Sequence, residues 1–262
     1  MRSLLKIASQ MILSFIVGAV FSFFIFESVL KSKSLSANSE IAADDNITLK
    51  EDATTRRAIL MSRESAVQIM SASEDTPVVS SSSGTYIRYN NRYYVLTVAH
   101  AIMGSCSNLR ILAHQEMYHC KRFAAIDRYT DYAIIEVDKL LNRKPVRIKR
   151  SVPGNFEWSD AIAVQSDVFY TGYPNALGPL TINGKIVGHD YYENVFVHSF
   201  AWPGSSGSGV FNDSGEFIGF IMAISVGATE FGVTVLEDIA IVVPLYQIDW
   251  SAIEKGDVEN GI

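Results

Sequence analysis

The chain has 262 residues, of which 48% are hydrophobic, enough for a sizeable core in one or two domains. Its formal net charge of -6 gives no reason to expect a nucleic-acid partner, because such partners are bound by basic surfaces. The 17 glycines, together with scattered β-branched and aromatic runs, favour an all-β fold.

The first 30 residues differ in character from the rest. Residues 7–26 carry no charge and follow Arg2 and Lys6, and about 20 apolar residues are needed to cross a bilayer as a helix. We predict a signal-anchor transmembrane helix within residues 1–30, with the N-terminus inside the cytoplasm and the globular part outside. A cleaved signal peptide is an alternative, because small residues at 34–37 suit cleavage, and it predicts a secreted protein. A buried core helix is the third interpretation.

Residues 31–65 are predicted to be a linker that ends in a short helix. Residues 32–55 are rich in Ser, Asn, Asp and Glu and contain few large apolar side chains, which is typical of a tether. Residues 56–70 have apolar positions compatible with a helix, but residues 66–70 also fit a first strand. Periodicity leaves both interpretations open in so short a run.

From residue 80 the pattern changes to short strands, in two sets. In the first set, residues 85–89 and 93–98 form a hairpin around the turn signal Asn90-Asn91, and strands follow at 109–112, 117–124 and 133–137. Residues 142–158 are polar and predict a solvated connection. The second set comprises residues 167–174, 181–188, 194–200, 210–211, 217–225 and 239–245. We therefore predict one domain over residues 66–262, with halves at about 66–140 and 160–250.

Three motifs stand in order along these strands. T-V-A-H ends at His100, D-Y-A-I-I begins at Asp131, and G-S-S-G-S-G-V-F carries Ser206. Glycines around a serine allow a tight turn and a close approach of a substrate carbonyl. The backbone N–H groups of Gly204 and Ser206 are candidates for an oxyanion hole. Taken alone, the serine motif also fits a flexible turn, but the order His, Asp, Ser is that of the chymotrypsin triad.

With these motifs, the chain resembles the trypsin-like (chymotrypsin-fold) serine proteases over residues 67–245. It is most similar in pattern to the protease domains of the HtrA/Deg group and to compact glutamyl endopeptidases. The resemblance implies two antiparallel six-stranded β-barrels and a serine endopeptidase that works through an acyl-enzyme intermediate on protein or peptide substrates. It implies no metal and no organic cofactor. We expect the likeness to stop at the protease domain, without a PDZ domain.

The resemblance also implies roles for the three motif residues. His100 is the general base, Asp131 orients its imidazole, and Ser206 is the nucleophile. Asp127 is the alternative to Asp131, which we prefer because a buried strand follows it. Ser206 is preferred over the serines at 205 and 208 because it matches the register of G-x-S-G.

The substrate pocket is predicted from the same resemblance. Phe200 is placed at its base, and Ile221, Met222, Ala223 and Ile224 form one wall. Trypsin carries an acid where Phe200 stands, and glutamate-specific relatives carry a histidine near Ile221. The pocket therefore predicts a small or medium apolar residue before the scissile bond, because an unpaired buried charge is costly.

Cys106 and Cys120 flank a predicted hairpin of the first set. They can pair in an oxidising compartment or remain thiols in a reducing one, and their spacing fits no metal motif. Two alternatives to a membrane-tethered peptidase remain open from the sequence. One is a catalytically inactive binding protein with a protease fold, and the other is a viral polyprotein-processing protease.

Overall fold

A computed structural model describes residues 53–148, 160–229 and 232–255. These residues belong to one compact unit that spans residues 50–262. The predicted transmembrane segment, most of the predicted linker and residues 149–159 lie outside the described residues. None of the helices in the described part of the chain is long and apolar enough to cross a membrane.

Strands make up most of the described chain, as the all-β prediction requires. Helix α1 spans Ala53–Ser65 and α2 spans Ser251–Lys255, with short 3₁₀ helices at Cys106–Asn108, Pro174–Ala176 and Leu245–Gln247. The strands described are β1 (Ala66–Ala72), β2 (Val79–Tyr89), β3 (Arg92–Thr97), β4 (Leu109–Ala113), β5 (Glu116–His119), β6 (Arg122–Asp127), β7 (Tyr132–Glu136), β8 (Val146–Arg147), β9 (Asp167–Gly172), β10 (Leu180–His189), β11 (Val195–His198), β12 (Gly209–Asn212), β13 (Phe217–Thr229) and β14 (Gly232–Pro244). The helix ends at Ser65 and a strand begins at Ala66, so the strand interpretation of residues 66–70 is confirmed and a helix continuing to residue 70 is wrong.

The first sheet is open, so the predicted six-stranded first barrel is wrong. Its antiparallel order is β5-β4-β1-β2-β3-β7-β6, and β8 adds to β2 in parallel, which makes eight strands among the described residues. Strands β5 and β6 stand at opposite ends of this path although only two residues separate them. Those residues do not form a hairpin turn: Cys120 is bonded to Cys106, and the Lys121 N–H donates to the Glu136 carbonyl at the end of β7 (2.9 Å). The chain therefore runs on to β7 instead of folding back along β5.

The second sheet is the closed six-stranded antiparallel barrel that was predicted. Its order is β10-β11-β14-β13-β12-β9. Each sheet encloses its own apolar core, since side chains on alternate positions of a strand point to one face. Members of the first core include Val67, Ile69, Tyr86, Val95, Ile111 and Ile135, and members of the second include Val168, Tyr170, Val197, Val210, Ile218 and Val242.

Helix α1 precedes the first sheet in the sequence but packs against the second barrel. The Ser62 hydroxyl donates to Thr171 Oγ1 on β9 (2.9 Å), and the Arg63 guanidinium donates to Thr181 Oγ1 on β10 (2.7 Å). The end of the helix also contacts the chain that leaves the first sheet, because the Lys144 N–H donates to the Glu64 carbonyl (2.9 Å). The helix is thus an integral part of the folded unit.

The two sheets meet along β2, which faces the chain before β12. The Ser83 N–H donates to the Ser206 carbonyl (2.9 Å), and Thr85 Oγ1 donates to the Gly207 carbonyl (3.3 Å). These bonds place the serine motif of the second barrel beside the strands of the first sheet.

Candidate active site

His100 and Asp131 are brought together by neighbouring antiparallel strands. His100 follows β3 and Asp131 precedes β7, and these strands pair with Thr97 opposite Ala133. The end of one strand and the start of the next lie at the same edge of an antiparallel sheet. His100 Nδ1 lies 2.6 Å from Asp131 Oδ2, and the His100 backbone N–H donates to Asp131 Oδ1 (2.8 Å). One carboxylate therefore fixes both the ring and the backbone of the histidine.

Asp131 holds this position with an uncommon backbone conformation. Its φ is 59°, in the left-handed region that few residues other than glycine adopt, although aspartate is among the more tolerant. Its carbonyl accepts a hydrogen bond from the Ala99 N–H (3.2 Å). The Asp131 side chain is 16% exposed and that of His100 is 52% exposed, so the ring stands at the surface of the sheet edge.

Asp127, the alternative candidate for the carboxylate that orients His100, binds backbone N–H groups instead. Its Oδ1 accepts the backbone N–H groups of Tyr129 (2.7 Å) and Thr130 (3.1 Å) and so caps the turn between β6 and β7. The carboxylate beside His100 is that of Asp131.

Ser206 lies in the loop between β11 and β12, and two glycines shape that loop. Gly204 has φ 96° and Gly207 has φ 88°, values that favour glycine. The neighbours also exclude side chains there: a Cβ at Gly204 would lie 2.7 Å from the Tyr173 carbonyl oxygen, and one at Gly207 would lie 2.1 Å from that of Ser83. The glycines of the motif are therefore required both by backbone conformation and by close packing against β2 and the chain after β9.

In this loop, the backbone groups without a hydrogen-bond partner in the described part of the protein are N–H groups and not carbonyls. Within the described residues, neither the Gly204 N–H nor the Ser206 N–H donates to a protein acceptor. Both carbonyls are bound: Ser83 Oγ donates to the Gly204 oxygen (2.7 Å), and the Ser83 N–H donates to the Ser206 oxygen (2.9 Å). Two N–H donors are thus available where the sequence predicted an oxyanion hole.

The three serines of the motif differ in accessibility. Ser205 is 1% exposed, and its Oγ accepts the Trp202 N–H (3.2 Å). Ser208 is fully buried. Ser206 is only partly buried and lines the same cleft as His100.

This cleft has a volume of about 210 Å³. Its lining consists of His100, Ala201, Trp202, Pro203, Ser205, Ser206, Ile221 and Met222. The predicted pocket residues Ile221 and Met222 are therefore at the cleft. Phe200 is not among the lining residues: it is 57% exposed and its ring stacks on Trp202 at 5.9 Å between centroids. The side chains of Ala223 and Ile224 lie outside the described part of the structure.

Tyr170 supports the cleft from the core of the second barrel. Its hydroxyl donates to the Phe200 carbonyl, at the start of the segment that lines the cleft. Burial raises the pKa of Tyr170 to about 12, an effect that hydrogen bonds from Ser199 and Ser205 only partly offset. The phenol therefore stays neutral, and remains a donor, throughout the ordinary pH range.

Sequence reasoning missed several residues that shape the site. Ala201, Trp202 and Pro203 line the cleft. Ser83 binds the serine loop from the other sheet. A signal for Ser83 was present in the serine run at 80–83, since most buried polar side chains have a hydrogen-bond partner.

A model of the trypsin-like peptidase domain family matches residues 82–220, more than half of the chain. The chain therefore belongs to this family and is a serine endopeptidase, which confirms the resemblance drawn from its motifs. A search of curated proteins finds no match to the sequence.

Solved structures show the same fold. A serine endoprotease from Yersinia pestis superposes with a TM-score of 0.58 at 18% identity, covering 80% of this chain and 70% of that one. The Rv3671c protease from M. tuberculosis, in its active form, superposes with a TM-score of 0.54 at 17% identity, covering 80% of this chain and 87% of that one. At such identities the likeness is one of fold.

Proposed function

We propose that the protein is a membrane-tethered endopeptidase that hydrolyses peptide bonds of protein substrates with Ser206, His100 and Asp131. The observation that carries this proposal is the double hold of Asp131 on His100, at a cleft that Ser206 also lines. Because the carboxylate accepts a hydrogen bond from the Nδ1–H group, the lone pair of His100 Nε2 is left to act as a base.

The chemistry follows from these positions. His100 Nε2 takes the proton of the Ser206 hydroxyl while Oγ bonds to the substrate carbonyl carbon, and the carbonyl π electrons move to oxygen. The N–H groups of Gly204 and Ser206 stabilise that oxyanion. His100 then gives its proton to the amine as the C–N bond breaks. Water then attacks the acyl-enzyme while His100 takes its proton, and His100 returns a proton to Ser206 Oγ as the ester bond breaks and the acid leaves.

Reaction with a fluorophosphonate probe tests the nucleophile. Wild type is expected to form one covalent adduct, and Ser206→Ala to form none and lose several orders of magnitude in peptide hydrolysis. Ser205→Ala and Ser208→Ala are matched controls that should keep labelling at Ser206. An adduct mapped to another serine refutes the assignment. Absence of both labelling and hydrolysis in folded wild type would favour the non-catalytic binding protein.

The cleft supports a preference for a small or medium apolar residue before the scissile bond. Its walls include Ala201, Ile221 and Met222, and His100 is the sole titratable side chain among the described lining residues. A charged substrate side chain would lose its hydration there without gaining a partner. A cleavage profile on a peptide library decides this, and dominant cleavage after Arg, Lys or Glu refutes it.

The extracytoplasmic location is supported by the disulfide between Cys106 and Cys120, because such bonds persist in oxidising compartments. The tether itself rests on the apolar sequence of residues 7–26. We expect the full chain to resist alkaline carbonate extraction and a chain lacking residues 1–30 to become extractable. A mature N-terminus near residue 37 would show instead a cleaved signal peptide and a secreted enzyme.

A further inference from the structure

Ser83 uses every polar group it has at the junction between the two sheets. It lies in β2 and is fully buried. Its N–H donates to the Ser206 carbonyl (2.9 Å), and its Oγ donates to the Gly204 carbonyl (2.7 Å). The same Oγ accepts the Tyr173 N–H (2.8 Å), and its carbonyl accepts Thr97 Oγ1 (2.7 Å). One residue of the first sheet thus binds three backbone groups of the second barrel.

The direction of the Ser83 hydroxyl bond is determined by its partners. A backbone N–H can only donate and a carbonyl oxygen can only accept. The oxygen of Ser83 must therefore accept from Tyr173, and its single proton must point at Gly204. No alternative arrangement satisfies both groups, so the Gly204 carbonyl is held in one direction.

The two carbonyls bound by Ser83 belong to the residues whose N–H groups form the proposed oxyanion hole. Peptide groups are planar, so fixing a carbonyl fixes the whole peptide plane to which it belongs. The peptide groups that join residues 204 and 205 and residues 206 and 207 are held in this way. The Ser206 N–H belongs to the peptide group between them, which joins residues 205 and 206. Gly204 needs such a restraint, because a glycine at φ 96° has other conformations open to it at little cost.

We propose that Ser83 is a positioning residue that holds the loop of residues 203–207 in the conformation that stabilises the oxyanion. The proposal rests on the proposed function of Ser206. Ser83 should affect the stability of the transition state and not the binding of substrate, because the oxyanion forms only when the serine attacks the carbonyl. Loss of the Ser83 hydroxyl should therefore lower kcat and leave KM nearly unchanged.

The neighbouring serine provides a matched control. Ser82 lies in the same strand, is 3% exposed, and has an Oγ without a hydrogen-bond partner in the described structure. Ser82→Ala and Ser83→Ala thus remove the same atom from adjacent buried positions. We expect Ser83→Ala to lower kcat by about 10- to 100-fold, which is less than the roughly 10²- to 10³-fold cost of losing an oxyanion donor outright, and Ser82→Ala to leave kcat unchanged.

A second readout separates positioning from general destabilisation. A peptide boronic acid forms a tetrahedral adduct with the serine, so its affinity should fall with kcat in Ser83→Ala. The affinity of the same peptide as a product acid should not. Ser83→Thr, which keeps the hydroxyl, should recover most of kcat. If Ser83→Ala does not fold, Ser83→Cys takes its place under the same criteria, since the thiol fills similar space but is a weak donor.

The outcomes distinguish the two proposals. If Ser82→Ala and Ser83→Ala have equal kcat values and Ser206→Ala is inactive, the role of Ser83 is overturned and the assignment of Ser206 stands. The role of Ser83 is also overturned if Ser83→Ala lowers kcat/KM by raising KM while kcat stays unchanged. Full activity in Ser206→Ala overturns the proposed nucleophile, whatever Ser83→Ala does.

Discussion

Replacement of Asp131 by asparagine should invert the tautomer of His100, for a reason that the geometry supplies. Asp131 Oδ1 accepts the His100 backbone N–H (2.8 Å), while Oδ2 faces Nδ1 at 2.6 Å. An amide has one oxygen, and the backbone N–H requires an acceptor. The oxygen will therefore remain at the Oδ1 position, and the NH₂ group will face Nδ1.

The consequence for catalysis is large. Facing a donor, His100 Nδ1 must accept, so the ring proton moves to Nε2, the atom that should take the proton of Ser206. In an established serine protease triad the same substitution lowers kcat by about 10⁴, and we expect a loss of roughly 10³- to 10⁴-fold here at neutral pH. Because the side chains are nearly isosteric, KM and the midpoint of thermal unfolding should change little.

Steady-state hydrolysis of a peptide ester or amide measures this, and Asp127→Asn is the matched control. Asp127 Oδ1 accepts two backbone N–H groups that an amide oxygen can also accept, so that variant should retain nearly full activity. Near-wild-type kcat in Asp131→Asn, or an equal loss in Asp127→Asn, would refute the reasoning.

Three further predictions concern stability. Reduction of the Cys106–Cys120 disulfide, whose sequence separation is 14, should lower the free energy of unfolding by about 3 kcal/mol in denaturant titrations; no change would show that the bond does not restrict the unfolded chain. Gly172→Ala should cost about 1–3 kcal/mol, because its Cβ would lie 2.1 Å from Ser208 Oγ, and adding Ser208→Ala should recover part of that loss. The pKa of Tyr170 rises from 10.0 to about 12 on burial, so stability should fall as pH rises from 10 towards 12, by up to about 1.4 kcal/mol per pH unit, and less steeply in Tyr170→Phe.

The sequence correctly predicted a hairpin where the turn between the strands has characteristic residues. The hairpin of β2 and β3 was predicted from Asn90-Asn91, and both residues have positive φ (44° and 62°), as a two-residue turn of the common hairpin type requires. The closed second barrel was predicted from the family resemblance. Closure of the first sheet depends on whether β5 and β6 pair, which no local pattern reports, and there the family expectation was wrong.

Strand β2 shows a different limit of sequence reasoning. It begins at Val79, whereas the first strand predicted in this part of the sequence covered only residues 85–89. The serine run at 80–83 lacks the alternation of apolar and polar side chains that marks a half-buried strand. Ser83 is nevertheless buried, because the second barrel binds that part of β2, and Ser82 is buried on the opposite face of the strand. Burial imposed by a distant part of the chain leaves no periodic signal in the strand it covers.

The serine run also explains how the proposed catalytic groups from different sheets can share one cleft. His100 and Asp131 belong to the first sheet and Ser206 to the second barrel, so their alignment depends on how the two are held together. Apolar burial is non-directional, and apolar packing alone would leave the sheets less strictly oriented. Hydrogen bonds have narrow distances and angles, and those from Ser83 and Thr85 end on the carbonyls of residues 204, 206 and 207. The polar face of β2 therefore sets the position of the loop that carries the proposed nucleophile relative to the proposed base, through directional bonds that apolar side chains cannot make.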